Sequence, residues 1–161
     1  MNRAIVLGRF QPFHNGHAYL VKQAALVHPN QPVMVAIGSA NKEWEPNNPW
    51  SAEERAAMIS AWAESEQIEI ETCSIEDIND PPNWVAHARI SHGEGTLVTS
   101  DEATSILYKN DSFPVHELPL SERERLEGWR VRQTAKMLST VYDDEAVREV
   151  LNTSVPEAVV D

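Results

Sequence analysis

The order of residues in this chain predicts a doubly wound α/β fold, a parallel sheet of about five strands with helices on both faces. Three features point there. Short apolar runs recur along the 161 residues, the intervals between them carry helical patterns rather than hairpin turns, and the first run ends at Gly8 on a loop that leads into a helix start. Strands that alternate with helices are joined by crossovers, so they lie parallel and bind ligands above their carboxyl ends.

Ala4, Ile5, Val6 and Leu7 form the first strand, stopped by Gly8, and the following loop holds Pro12 and Asn15. The first helix should begin near Gly16 and turn His17, Leu20, Val21, Ala24, Leu26 and Val27 inward until Pro29 and Asn30 end it. Residues 33–37 make the second strand. Ser51 followed by Glu54 is a capping box, and Met58, Ile59 and Trp62 continue an amphipathic helix from it. Alternation over 68–73 reads as the third strand, and Pro81 and Pro82 precede a helix at 84–90. Residues 96–99 form the fourth strand, 102–108 a helix and 114–118 the fifth strand, with further helices expected at 129–138 and 143–151. No internal repeat or low-complexity linker divides the chain, so one domain over 1–161 is expected, Rossmann-like in layout.

Hydrophobic residues make up 42% of the chain, enough for one buried core. Thirteen Lys and Arg stand against 25 Asp and Glu, a net charge of −12 that repels a nucleic-acid backbone and excludes a polymeric DNA or RNA partner. It also makes any local cluster of cations informative. Cys73 is the only cysteine, which rules out an internal disulfide or a thiolate metal cluster and fits a reducing cytoplasm. The opening apolar run falls far short of the roughly 20 residues that cross a bilayer, so neither a membrane partner nor a signal peptide is expected.

The chemistry concentrates in Gly8-Arg9-Phe10-Gln11-Pro12-Phe13-His14-Asn15-Gly16-His17. A helix that begins at Gly16 presents backbone N–H groups above the strand end, and the missing side chain lets a phosphate approach closely. His14 and His17, three residues apart, can face one ligand and donate to phosphate oxygens, while Arg9 supplies a fixed charge. The bland alternative makes the histidines a cap or surface residues; as a zinc site, two imidazoles with no nearby carboxylate or thiol are a poor shell.

The string G-R-F-Q-P-F-H-x-G-H resembles the signature of the archaeal-type nicotinamide-mononucleotide adenylyltransferases, within the nucleotidylyltransferase superfamily, whose common part is H-x-G-H. The resemblance is strong to Arg55 and weaker beyond, as far as about Val160. It implies that ATP and nicotinamide mononucleotide (NMN) are the substrates and that the NMN phosphate attacks the α-phosphorus of ATP in line, with no covalent enzyme intermediate. His14, His17 and Arg9 would be catalytic. ATP would be bound by Gly8, Arg9, Phe10, Gln11, His14, Gly16, His17, Gly128 and Arg132. Mg²⁺ would be held mainly through the ATP phosphates, with no protein ligand. Gly38-Ser39-Ala40-Asn41 is similar to the family's turn beside the nucleotide, and Asp77 and Trp84 fall where the family contacts the carboxamide and stacks on nicotinamide, so Ser39, Asn41, Asp77 and Trp84 would bind NMN. Self-association into a homo-oligomer is also implied.

Residues 47–55 resemble the family's Asn-Pro-aromatic-Ser/Thr…Arg segment; on the residues alone, Arg55 as a surface member of the capped helix and Trp84 as a core residue are the bland alternatives. Departures from the pattern are Glu127 and Trp129 around Gly128, Pro81 in place of an asparagine, and Asn47 where some relatives carry a cation. They motivate two alternatives, a degenerate nucleotide-binding sensor and a transferase with another phosphate acceptor such as a flavin nucleotide.

Overall fold

A computed structural model describes residues 3–10, 12–40, 50–78 and 80–118, together with Arg132, Ala135, Arg148, Val150, Leu151, 154–156 and Val159. In chain order the elements are β1 (Ala4–Gly8), α1 (Asn15–Val27), β2 (Val33–Ile37), α2 (Ala52–Glu66), β3 (Ile70–Ser74), α3 (Pro81–His92), β4 (Thr96–Thr99), α4 (Glu102–Asn110) and β5 (Val115–Glu117). The five strands form one sheet in the order β3-β2-β1-β4-β5, parallel throughout. All five expected strands are present, β2 and β4 with the expected bounds and the other three shifted at an end by a residue or two. The expected helices at 129–138 and 143–151 lie largely outside the described residues; Arg132, Ala135, Arg148, Val150 and Leu151 are helical.

The short apolar runs work because a strand presents alternate residues to opposite faces. Val6, Val35, Ile37 and Val98 meet Leu20, Val21 and Ala24 of α1 and Ile59 and Trp62 of α2 on one face. Their neighbours Ile5, Met34 and Leu97 meet Val85 of α3, Tyr108 of α4 and Phe113 on the other. Val155 is buried, and Val159 packs against the first of these layers. With both faces covered, β1 and β2 need no polar side, which is why they read as continuous apolar runs.

One inward assignment is corrected. Leu26 is 72% exposed, because it lies two residues beyond the buried Ala24 and so about 200° further round α1. Helical phase, rather than hydrophobicity, decided its side.

Gly95 lets β4 enter the sheet beside the first strand. A Cβ there would lie 2.1 Å from the Arg3 carbonyl oxygen, the same oxygen that accepts the Thr96 N–H at 2.9 Å. Gly95→Ala should therefore lower stability by about 3 kcal/mol, since backbone must move to make room. A urea midpoint equal to wild type would contradict this.

Candidate active site

A cavity of about 650 Å³ opens at the carboxyl end of the sheet. The sheet order explains its place. From β1 the chain crosses over one face to reach β2, while β4, on the other side of β1, is entered from the opposite face, so the connections diverge and leave a crevice over β1. Gly8 ends β1 in it and Arg9 follows, Gly38 and Ser39 follow β2, and Thr99 ends β4 at its rim.

His14 and His17 lie at the head of α1 with their rings stacked, centroids 3.8 Å apart and planes 19° from parallel. Each uses Nδ1 to accept a backbone N–H: His14 from Gly16 at 3.1 Å, and His17 from His14 at 3.2 Å. This is a reciprocal cap made by two imidazoles, in the way a serine and a glutamate usually make one. A nitrogen that accepts cannot carry the proton, so both neutral rings are Nε2–H tautomers. Both rings line the cavity, and no buried side-chain nitrogen among the described residues lacks a partner. The cap reading is thus correct for both rings, each through its Nδ1.

One expectation changes as a result. The amides at the start of α1 are largely committed, Asn15 N–H to the Ser154 carbonyl at 2.7 Å and Gly16 N–H to the His14 ring. Those two amides are therefore already paired, and the imidazole rings line the cavity beside them.

Burial pushes the His14 imidazole down to about 4, and burial together with the stacked His14 ring holds His17 well below the usual histidine range. The buried His92 is lowered by burial as well; its Nε2 faces the Tyr108 hydroxyl at 2.9 Å and its Nδ1 the Gly93 carbonyl at 2.7 Å. At neutral pH the two site rings therefore act as uncharged donors, and fixed charge comes from arginine. Arg132 lies close enough to Arg9 that burial and repulsion between the two guanidiniums both lower its affinity for a proton. In a chain of net charge −12, two neighbouring cations depart from the overall charge.

Phe10 is turned into the core, where it packs edge-on against the His17 ring at 4.7 Å and lies near Phe13 at 5.8 Å. It supports the imidazole and does not line the cavity. Ser39 donates its hydroxyl to Asp77 Oδ2 at 2.8 Å, and both line the cavity with Trp84, whose indole meets Tyr108 edge-on. Gln11, Asn41, Glu127, Gly128 and Trp129 lie outside the described residues.

The remaining wall was missed in the sequence. Ser100, Asp101, Thr104 and Leu107 complete the cavity from the β4–α4 junction. Asp101 is legible as a helix cap, and its Oδ2 accepts the Thr104 N–H at 3.1 Å. That this cap faces β1 follows only from the strand order. Arg55 was left open between site and surface; it is completely buried under the two loops that follow β1 and β2.

The cytidylyltransferase-like family matches residues 5–160. The nicotinamide-nucleotide adenylyltransferase of Thermoplasma acidophilum is 34% identical over 133 residues, covering 81% of this chain and 73% of that one. The chain belongs to this family. A second relative, the nicotinamide-nucleotide adenylyltransferase of Thermoplasma volcanium, is 32% identical over 162 residues, covering 99% of this chain and 84% of its own. Among solved structures, a bifunctional NMN adenylyltransferase/ADP ribose pyrophosphatase from Francisella tularensis, complexed with AMP and a manganese ion, superposes with a TM-score of 0.69 at 17% identity. It covers 99% of this chain, which spans 52% of that larger protein; at this identity the likeness concerns the fold. No helix among the described residues is long and apolar enough to cross a membrane.

The lowered histidines set a pH dependence. Their folded-state values lie below the unfolded value near ~6.5, so as pH falls the unfolded chain takes up protons first. Stability is complete above about pH 6.5 and is lost progressively below it, for His14 down to about 4. Between pH 7 and 5 the His14 contribution should reach about 2 kcal/mol. Urea midpoints of ligand-free protein should fall over that interval, and His14→Asn, which can still cap, should flatten the slope. Equal midpoints at both pH values would contradict the assignment.

Proposed function

We propose that this chain transfers the adenylyl group of ATP to NMN, forming NAD and releasing pyrophosphate. The observation that carries the reading is a cavity over β1 lined by His14 and His17, each with Nδ1 committed to the backbone, and by Arg9, which Arg132 adjoins, with Trp84 and the hydrogen-bonded Ser39 and Asp77 among its other walls. Cations and donors suit a polyphosphate, and a flat indole beside a carboxylate suits an aromatic ring bearing an amide. The names of the relatives from both Thermoplasma species support the same reaction.

A 5′-phosphate oxygen of NMN attacks the α-phosphorus of ATP, forming a new P–O bond as the bond to the bridging oxygen of the leaving pyrophosphate breaks. The attacking phosphate, with a second pKa near ~6, is mostly dianionic at neutral pH, so no general base is required. Catalysis then rests on positioning and charge neutralisation. His14 and His17 donate through Nε2–H to phosphate oxygens, and Arg9 and Arg132 neutralise charge that builds on the leaving group. Neutral donors suit the role, since neither ring gives up its cap to act. Among the described residues no cluster of His, Cys, Asp or Glu is arranged to hold a metal ion. The donor set fits a divalent cation such as Mg²⁺ that arrives on the triphosphate and neutralises its charge. A cytoplasmic setting and assembly into a homo-oligomer belong to the same proposal.

Because His17 caps α1 and packs on Phe10 and Phe13, alanine at this position would disturb the fold as well as the chemistry. His17→Asn retains an acceptor for the His14 N–H but removes the Nε2 donor. With ATP, Mg²⁺ and NMN, its kcat for NAD formation should fall about 10²- to 10³-fold while the circular dichroism spectrum is unchanged. Turnover within threefold of wild type would exclude the mechanism. Trp84→Ala tests the acceptor: its KM for NMN should rise roughly tenfold, as expected for loss of a ring stack, with the KM for ATP little changed. An unaltered NMN response would exclude nicotinamide stacking at that position.

A further inference from the structure

Arg55 sits on α2 with its guanidinium completely buried, below the floor of the cavity rather than in it. Its Nη1 donates to the Arg9 carbonyl at 2.9 Å and to the Gly38 carbonyl at 2.7 Å; Nη2 donates to the Ser39 carbonyl at 3.0 Å, and Nε to the Ser51 carbonyl at 3.1 Å. One planar group thus holds the loop after β1, the turn after β2 and the first turn of its own helix.

Two of these carbonyls have a shared peculiarity. The residue that follows Arg9 is Phe10, at φ 55°, and the residue that follows Gly38 is Ser39, at φ 50°. Neither is a glycine. Left-handed backbone at such residues persists only where surrounding bonds over-determine it, and at both turns Arg55 grips the peptide immediately before the strained residue. The consequences run in two directions. At the first turn, the left-handed Phe10 aims its ring at His17 and leaves Arg9 on the cavity rim. At the second, the left-handed Ser39 aims its hydroxyl at Asp77.

We infer that Arg55 is a positioning residue that sets the triphosphate side of the site relative to the acceptor side by holding both left-handed turns with one guanidinium. The inference rests on the proposed adenylyl transfer, because it assigns Arg9 and His17 to one substrate and Ser39 and Asp77 to the other. An in-line displacement depends on that relative placement, and an error of about 1 Å can cost about 10²-fold in rate. Lysine cannot substitute. Its single ammonium has three donors from one point, whereas the carbonyls here are bridged by three nitrogens spread over a rigid plane.

Arg55→Lys and Arg55→Ala test this, with kinetics and amide exchange measured on each. For Arg55→Lys, kcat for NAD formation should fall roughly 10²-fold per folded molecule while KM for ATP and for NMN each stay within about fivefold. In Arg55→Ala, millimolar free guanidinium should restore part of the turnover, with no gain for wild type or His17→Asn. A purely structural role would lower the melting temperature and leave kcat of the folded fraction unchanged. Folded Arg55→Lys with kcat within threefold of wild type therefore overturns the inference. If wild-type protein makes no NAD, the acceptor assignment fails, and Arg55 is then judged on the backbone alone. The Gly38 amide, bonded to the Gly8 carbonyl, and the Ala40 amide, bonded to the Ile75 carbonyl, should exchange at least tenfold faster in Arg55→Lys while the Leu97 amide stays protected. Unchanged exchange at those two amides would refute the clamp itself.

Discussion

At the head of α1 the backbone is capped by imidazole nitrogens, and most of the site follows from that choice. A serine or aspartate would satisfy the same amides but present nothing further. An imidazole has a second nitrogen on the far side of a rigid ring, so a group that caps the helix through Nδ1 also projects a donor through Nε2. The stack of His14 on His17 keeps the two donors side by side, and Phe10 and Phe13 hold the second ring from behind. The cap also determines charge. Burial and two accepted N–H bonds favour the neutral form, which leaves fixed positive charge to Arg9 and Arg132.

The rest of the fold supplies support for strained loops. Fully burying residues such as Ile5, Ile37, Ile59 and Leu97 contributes roughly 1.5–3 kcal/mol each, whereas the left-handed Phe10 and Ser39 each cost about 1–3 kcal/mol. The core therefore outweighs the strain, provided something holds the loops to it. Arg55 has that position, bonded upward to three loop carbonyls and anchored on a helix that packs through Ile59 and Trp62.

The acidic character of the chain and the basic character of the site are complementary. A net charge of −12 discourages binding of extended polyanions, while Arg9 and the neighbouring Arg132 form a local exception.

Much of this was legible from local order. Apolar runs that continue through adjacent positions, such as Val33 to Ile37, fit strands buried on both faces, and H-x-G-H after a strand and a glycine marks a helix start. Ser51 and Glu54 form the capping box their spacing predicted. What spacing could not supply was the partner across space. The contribution of Thr99, Ser100, Asp101 and Thr104 required β4 to lie beside β1, Leu26 turned outward by helical phase, and Arg55 became a buried clamp because two loops distant in sequence converge over α2. The sequence by itself determined which segments form strands and helices and which side chains could meet a phosphate, since those depend on residues a few positions apart. Only the tertiary structure decided which ring nitrogen caps the helix, which residues line the cavity and which cation is buried beneath it, because those depend on hydrogen bonds and packing between segments that the chain order does not place together.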